Sequence, residues 1–261
     1  VSVGKAEHIA ALGPWFYDFD LPGGVRTNPA LSGELRSIHA DRVVMLAEAI
    51  RIAYPNGLNG ADTLDVGCHE GYFSHRLLEL GAGSVVGVDV RERNLQKAGL
   101  VANAMGARGL SWVCADAEDL VAAVGTGTRF GLSLAYGLIY HCENPVRVLR
   151  QIASVTERAI VIESQLLDEP SCPPVEWGRE GYRLPVRGTF AVLDESRLHP
   201  TNSETGASPL ALCPSEMAIR TVLAHCGFGR VDRVFPPEGA NEQLVRGKRG
   251  VFVALRDGST P

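Results

Sequence analysis

The stretch "TLDVGCHEGYFSHRLLELGAGSVVGVDV", Thr63 to Val90, decides how the chain is read. A short apolar run, Thr63–Val66, enters a turn bracketed by Gly67 and Gly71, and a helical pattern follows from Tyr72 to Leu80. A second apolar run, Ser84–Val88, closes on Asp89. Glycines at 67 and 71 let the backbone turn sharply and approach a ligand, while the helix start beyond them offers unpaired amides. The spacing is G-x-x-x-G and lacks the third glycine of the dinucleotide fingerprint G-x-G-x-x-G. Asp65 stands before the turn, where a carboxylate repels a pyrophosphate but accepts hydrogen bonds from a cationic amino-acid group. Asp89 comes 18 positions after Gly71, where an acid can grip both hydroxyls of a ribose. Further on, "CADAEDL" ends another apolar run with Asp116-Ala117, a carboxylate suited to an adenine amino group.

Outward from this stretch, apolar runs at Leu110–Cys114, Phe130–Ala135 and Ala159–Ile162 alternate with helical patterns at Asn94–Met105, Asp119–Val124 and Pro145–Val155. Such alternation predicts an α/β fold with parallel strands joined by crossover helices. Residues 165–213 break it with six prolines and no clean periodicity, which predicts an inserted cap; so long a segment is usually functional. The pattern resumes with Ser215 as N-cap, a helix through His225 stopped by Gly227, a strand to Phe235 and a last strand at Val251–Arg256. Upstream, "GPWFYDFDLPGGVRTNP" predicts an ordered aromatic loop, and Leu35, Ile38, Leu46, Ala49 and Ile50 mark an amphipathic helix ending before Pro55. The expected organisation is therefore residues 1–58 as a loop and helix covering the site, and 59–261 as the main domain with its cap at 165–213.

Bulk properties narrow the function. A net charge of -5 with only three lysines speaks against nucleic acid as the main partner, because phosphate binding draws on a basic surface. No apolar run approaches the ~18 residues of a membrane span, and Val1 to Leu12 lacks a signal-peptide pattern, so a cytoplasmic protein is expected. The six cysteines, Cys68, Cys114, Cys142, Cys172, Cys213 and Cys226, show no metal-ligand spacing and read as reduced thiols. No metal is expected.

"LDVGCHEGYFS", "GVDV", "CADAEDL" and "SLAYGLIYHCENP", in this order, make the chain similar to the class I S-adenosylmethionine-dependent methyltransferases, firmly over residues 60–165. With "WFYDFDLPGGVRT", they resemble the branch that holds the tRNA wobble-uridine carboxymethyltransferases and bacterial small-molecule methyltransferases. The resemblance implies a Rossmann-like fold with a seven-stranded, mostly parallel sheet and S-adenosyl-L-methionine as cofactor. It places Asp65, Gly67, Cys68, Gly71, Phe73, Asp89, Val90, Asp116, Ala117, Tyr136 and Gly137 around that cofactor. The RNA enzymes of the branch grip a carboxylated cofactor with an upstream lysine, and this chain has none between Arg26 and Asp62. The expected acceptor is thus a small molecule, sugar-containing or a secondary metabolite, methylated at oxygen or nitrogen. A tRNA wobble-uridine alkyltransferase and a non-catalytic cofactor-binding scaffold are the alternatives. His141 is the leading candidate base, since histidine titrates near neutrality; Glu163, His199, Tyr17 and His39 are further candidates. His69 and Glu70 read as exposed loop residues. Asp168 and Glu169, with Glu163, are weighed as divalent-ion ligands without a repeated carboxylate motif behind them. Oligomeric state is left open, with monomer and dimer both compatible.

Overall fold

The computed structural model describes residues 9, 11–27, 33–169, 174–177, 182–198 and 205–258. A two-residue hairpin, β1 (Asp20–Leu21) and β2 (Val25–Arg26), precedes the long helix α1 (Gly33–Ala53). The alternating part follows as β3 (Asp62–Val66), α2 (Tyr72–Glu79), β4 (Ser84–Asp89), α3 (Glu92–Met105), β5 (Leu110–Cys114), α4 (Leu120–Val124), β6 (Phe130–Tyr136), α5 (Pro145–Val155) and β7 (Thr156–Gln165). Two short pairs come next, β8 (Val175–Trp177) with β9 (Tyr182–Leu184) and β10 (Phe190–Asp194) with β11 (Leu210–Pro214). The described chain closes with α6 (Glu216–His225), β12 (Arg230–Val234), α7 (Glu242–Val245) and β13 (Arg249–Leu255).

Seven strands form one sheet in the order β12-β13-β7-β6-β3-β4-β5, parallel except for β13, which runs antiparallel to both its neighbours. Its central strands β3, β6, β7 and β13 are buried on both faces because helices cover both. On β7, Ala159 and Val161 join the layer that holds α1 and α2, whereas Ile160 and Ile162 join the layer of α5 and α6. Period-two alternation divides β13 the same way, Val251 and Val253 against Phe252 and Ala254. Each such fully buried aliphatic side chain contributes about 1.5–3 kcal/mol.

Two expectations change. The strand read at Ala159–Ile162 extends over Thr156–Gln165, because β13 pairs along it from Leu255↔Ala159 to Arg249↔Gln165 and satisfies its outer backbone groups. The insertion also contains strands: β10 and β11 pair over five registers, from Phe190↔Pro214 to Asp194↔Leu210. Three- to five-residue strands broken by prolines carry too few periods to show in sequence. Among the described residues, no helix is long and apolar enough to cross a membrane.

The topology positions the site. From β3 the chain winds outward through β4 and β5, then returns to β6 on the other side of β3. The order therefore reverses between β3 and β6, and ligands of open α/β sheets bind beyond the carboxyl ends of the strands at such a point. Gly67 follows β3 there, and Gly137 follows β6.

Candidate active site

A cavity of about 530 Å³ opens at this crevice, within the range of small-molecule sites. Gly67, Asp89, Val90, Asp116, Ala117, Gly137 and His141 all line it. Gly67 holds φ +73°, and a Cβ there would lie 2.9 Å from Leu138 Cδ1, so the position admits only a bare backbone. The Gly67 and Cys68 amides both donate to the Val88 carbonyl, at 2.8 and 3.0 Å, which ties the turn to the neighbouring strand. Gly71, at φ +77°, serves another purpose. Its missing side chain makes room for the Trp112 ring, whose Cη2 would stand 2.6 Å from a Cβ.

Asp89 is buried at the end of β4. Its Oδ2 accepts the His69 amide at 2.9 Å, and its Oδ1 accepts the Arg91 amide at 2.9 Å and Asn94 Nδ2 at 3.1 Å. Three fixed donors thus hold one carboxylate rigid at the cavity edge. Asp116 caps the short turn Ala117–Asp119 by accepting the Glu118 amide at 2.9 Å. Asp65 lies behind the wall, 1% exposed, with Ser74 Oγ donating to its Oδ2 at 2.6 Å. Burial above all, with the nearby negative Asp89, pushes its carboxyl up to about 7, against the pull of Ser74 and Arg42.

A second, smaller cavity of about 130 Å³ is lined by Phe16, Tyr17, His39, Arg42, Tyr136, Tyr140 and Arg249, among others. It shares Gly67, His69, Gly137 and His141 with the larger one. Its floor is charged: the fully buried Glu163 lies 2.9 Å from Arg42 Nη2 and 2.8 Å from Arg249 Nη1. Arg249 also donates to the Tyr140 hydroxyl at 3.0 Å, and the Arg42 guanidinium stacks 4.7 Å from the Phe73 ring centroid. Although burial raises a carboxyl, the two guanidiniums hold Glu163 below its ordinary range. Burial and the Arg42 charge push His39 down to about 3, so its imidazole is neutral at physiological pH.

Of the candidate bases, His141 is the one at the junction of the cavities, with its Nδ1 2.7 Å from Glu195 Oε1. Tyr17 reaches the smaller cavity, but it is stacked on Tyr72 at 4.7 Å and burial pushes its phenol far up, which leaves it a neutral hydrogen-bonding group. Glu163, committed to two arginines, sits beneath the cavity. His199 lies outside the described residues. Cys68 and Phe73 pack behind the turn, while Tyr136 lines the smaller cavity. Asp168 is surface-exposed and pairs with Lys248 at 2.7 Å, apart from Glu163. Among the described residues no group of three His, Cys, Asp or Glu side chains is placed to hold a metal ion.

Glu70 overturns the expectation of an exposed residue. It is fully buried, accepts the Phe16 and Tyr17 amides at 3.0 and 2.9 Å, and pairs with Lys97 Nζ at 2.7 Å. This buried ion pair docks the aromatic loop over the site. Arg42, Arg249, Arg91 and Glu195 were not expected at the site. Arg42 had a signal, since a charged residue stands in phase with the apolar stripe Ile38, Leu46 and Ala49 of α1; Glu195, 54 positions from its partner, had none.

Residues 63–159 match the family model described as a methyltransferase domain. A ubiquinone biosynthesis O-methyltransferase of Neisseria meningitidis serogroup C is 27% identical over 129 residues, covering 48% of this chain and 51% of that protein. The tRNA U34 carboxymethyltransferase of Campylobacter jejuni is 24% identical over 109 residues, 41% of this chain and 36% of that one. The chain thus spans about half the length, or less, of these curated relatives. Among solved structures, the N-terminal domain of EvdMO1 with S-adenosylhomocysteine (SAH) bound superposes with a TM-score of 0.69 at 23% identity, over 96% of this chain and 94% of that one. A magnesium protoporphyrin IX methyltransferase from Synechocystis with bound SAH gives 0.56 at 16% identity, over 88% and 90%. At such identities these structures speak for the fold.

Proposed function

We propose, from the methyltransferase-domain match over residues 63–159, that the chain is a class I S-adenosylmethionine-dependent methyltransferase and that it transfers the methyl group to an oxygen or nitrogen of a small-molecule acceptor, with a sugar hydroxyl the first choice. The observation that carries this reading is the pair of cavities meeting at Gly67, His69, Gly137 and His141. The larger suits a nucleoside and the smaller a compact acceptor. That EvdMO1 was also crystallised with SAH and D-fucose supports the sugar choice.

The cradle at Gly67, where a Cβ would strike Leu138, and the rigid Asp89 carboxylate fit the adenosyl cofactor. Asp89 would hold the ribose hydroxyls, and Asp116 with Ala117 the adenine. When bound, S-adenosylmethionine supplies a methyl group on a positively charged sulfur. Alignment of the acceptor can provide most of the rate, because one docked at the junction is held rather than encountered. Phe16, Tyr17, Tyr136 and Tyr140 wall the smaller cavity and exclude water. Because Nδ1 of His141 faces Glu195, Nε2 is the atom left to take the proton of an acceptor hydroxyl.

The test offers isotopically labelled S-adenosylmethionine with D-fucose, other sugars, phenols, amines and unmodified tRNA, and follows label transfer by mass spectrometry. A methylated small molecule is expected. Label in tRNA alone would replace this reading with the RNA one, and SAH binding without any product would favour a scaffold.

A further inference from the structure

The inserted segment is bound to the His141 turn at three points. Glu195, directly after β10, places Oε1 2.7 Å from His141 Nδ1. Gly206 packs so closely on the His141 carbonyl oxygen that a Cβ there would lie 1.9 Å from it. The Leu212 amide on β11 donates to the Cys142 carbonyl at 2.9 Å, so the hairpin and the turn share backbone bonding. A fourth tie runs to the donor side: Arg91 donates to Thr205 Oγ1 at 2.9 Å and to the Gly206 carbonyl at 3.2 Å. The backbone amide of that arginine holds Asp89. Two of these ties end on His141 itself, one on its side chain and one on its carbonyl.

We propose that Glu195 is a positioning residue for methyl transfer: it fixes the proton of His141 on Nδ1 and so presents Nε2, unprotonated, to the acceptor. The inference rests on the reading of His141 as base. An unrestrained neutral imidazole divides between two tautomers, and only one of them can accept at Nε2. As the acceptor proton arrives at Nε2, the imidazolium is balanced by the adjacent carboxylate, which stays ionised. Burial alone would raise the Glu195 carboxyl, yet the hydrogen bond and charge of His141, with Arg91, hold it below its ordinary range. The titratable and charged groups around His141 include Tyr140, at 4.2 Å between ring centroids, Arg249 behind Tyr140, His69 across the junction, Arg91, Asp116, Glu118 and Glu143 in the larger cavity, and Cys142, whose thiol burial pushes far up.

The experiment compares wild type, Glu195→Gln, Glu195→Asp and His141→Gln. In the SAH complex, nitrogen-15 NMR should show the Nδ1–H tautomer of His141 in wild type. In Glu195→Gln that tautomer should be lost, while SAH affinity by calorimetry stays within about threefold. With the acceptor returned by the labelling screen, Glu195→Gln should lower kcat by about 100-fold or more with little change in KM. Glu195→Asp should restore part of the tautomer preference and of kcat. An unchanged tautomer and kcat in Glu195→Gln, with His141→Gln inactive, would overturn the proposal and leave the base intact. Full activity of His141→Gln would instead overturn the reading of His141 itself, and the positioning role with it.

Discussion

Replacing Asp65 with Asn should make the ligand-free protein more stable at pH 8 and leave it nearly unchanged at pH 4. The Asp65 carboxyl is buried at 1% exposure and raised from 3.8 to about 7, mainly by desolvation. A raised carboxyl keeps its proton in the native state while the unfolded chain has released it. Between about pH 4 and pH 7 the native state therefore binds more protons, and stability falls as pH rises, levelling off above the folded-state value. The whole window is worth on the order of 4 kcal/mol, from about three pH units at about 1.4 kcal/mol each. Asn keeps an oxygen for the Ser74 hydroxyl, now 2.6 Å from Oδ2, and carries no charge to desolvate. At pH 8 the variant should thus gain about 4 kcal/mol, or roughly 8–15 °C in Tm for a chain of this size. Calorimetric melts of both proteins at pH 4, 6 and 8 measure it. A variant less stable at pH 8, or a difference independent of pH, would refute the reasoning. A buried acid retained at such a cost is itself a mark of a functional site.

If Asp89 holds the ribose hydroxyls as proposed, Asp89→Asn should weaken SAH binding about 100-fold in titration calorimetry, about 2.7 kcal/mol, because Asn keeps an oxygen to accept one hydroxyl but forfeits the charge assistance. Glu163→Gln leaves Arg42 and Arg249 buried without their shared anion and should cost about 3–5 kcal/mol in urea unfolding at pH 7. Because Glu163 is held below its ordinary 4.5, its stabilisation is present above that pH and is lost as pH falls through the lowered value, so the difference should shrink under acid. Lys97→Met breaks the buried pair with Glu70, a change worth about 3–5 kcal/mol; limited proteolysis should then cut within residues 13–20 faster than in wild type.

The larger cavity was legible because its lining is local. Gly67 and Asp116 follow a strand by one or two residues and Asp89 ends one, so periodicity placed them at the sheet edge before any geometry was known. Gly71 was legible as a turn glycine, which its φ of +77° bears out, but not as the opening for the Trp112 ring, which comes from β5, two strands later. Glu70 misled because a polar residue in a glycine turn looks solvated, and its partner Lys97 arrives from α3. The charged floor of the smaller cavity draws Arg42, Glu163 and Arg249 from α1, β7 and β13. Their meeting is a property of strand order, and no spacing in the chain encodes it. His141 was found from its place after β6, whereas Glu195 came from a segment whose short strands left no pattern.

The two cavities draw on different stretches of the chain. Most of the larger one's lining falls between residues 66 and 147, whereas Phe16, Tyr17, Ile38, His39, Arg42, Gln243 and Arg249 bring the smaller one its walls from the two flanks. If the smaller cavity seats the acceptor as proposed, chimeras that exchange both flanks around residues 63–159 should change acceptor preference while keeping most of the larger cavity's lining in place.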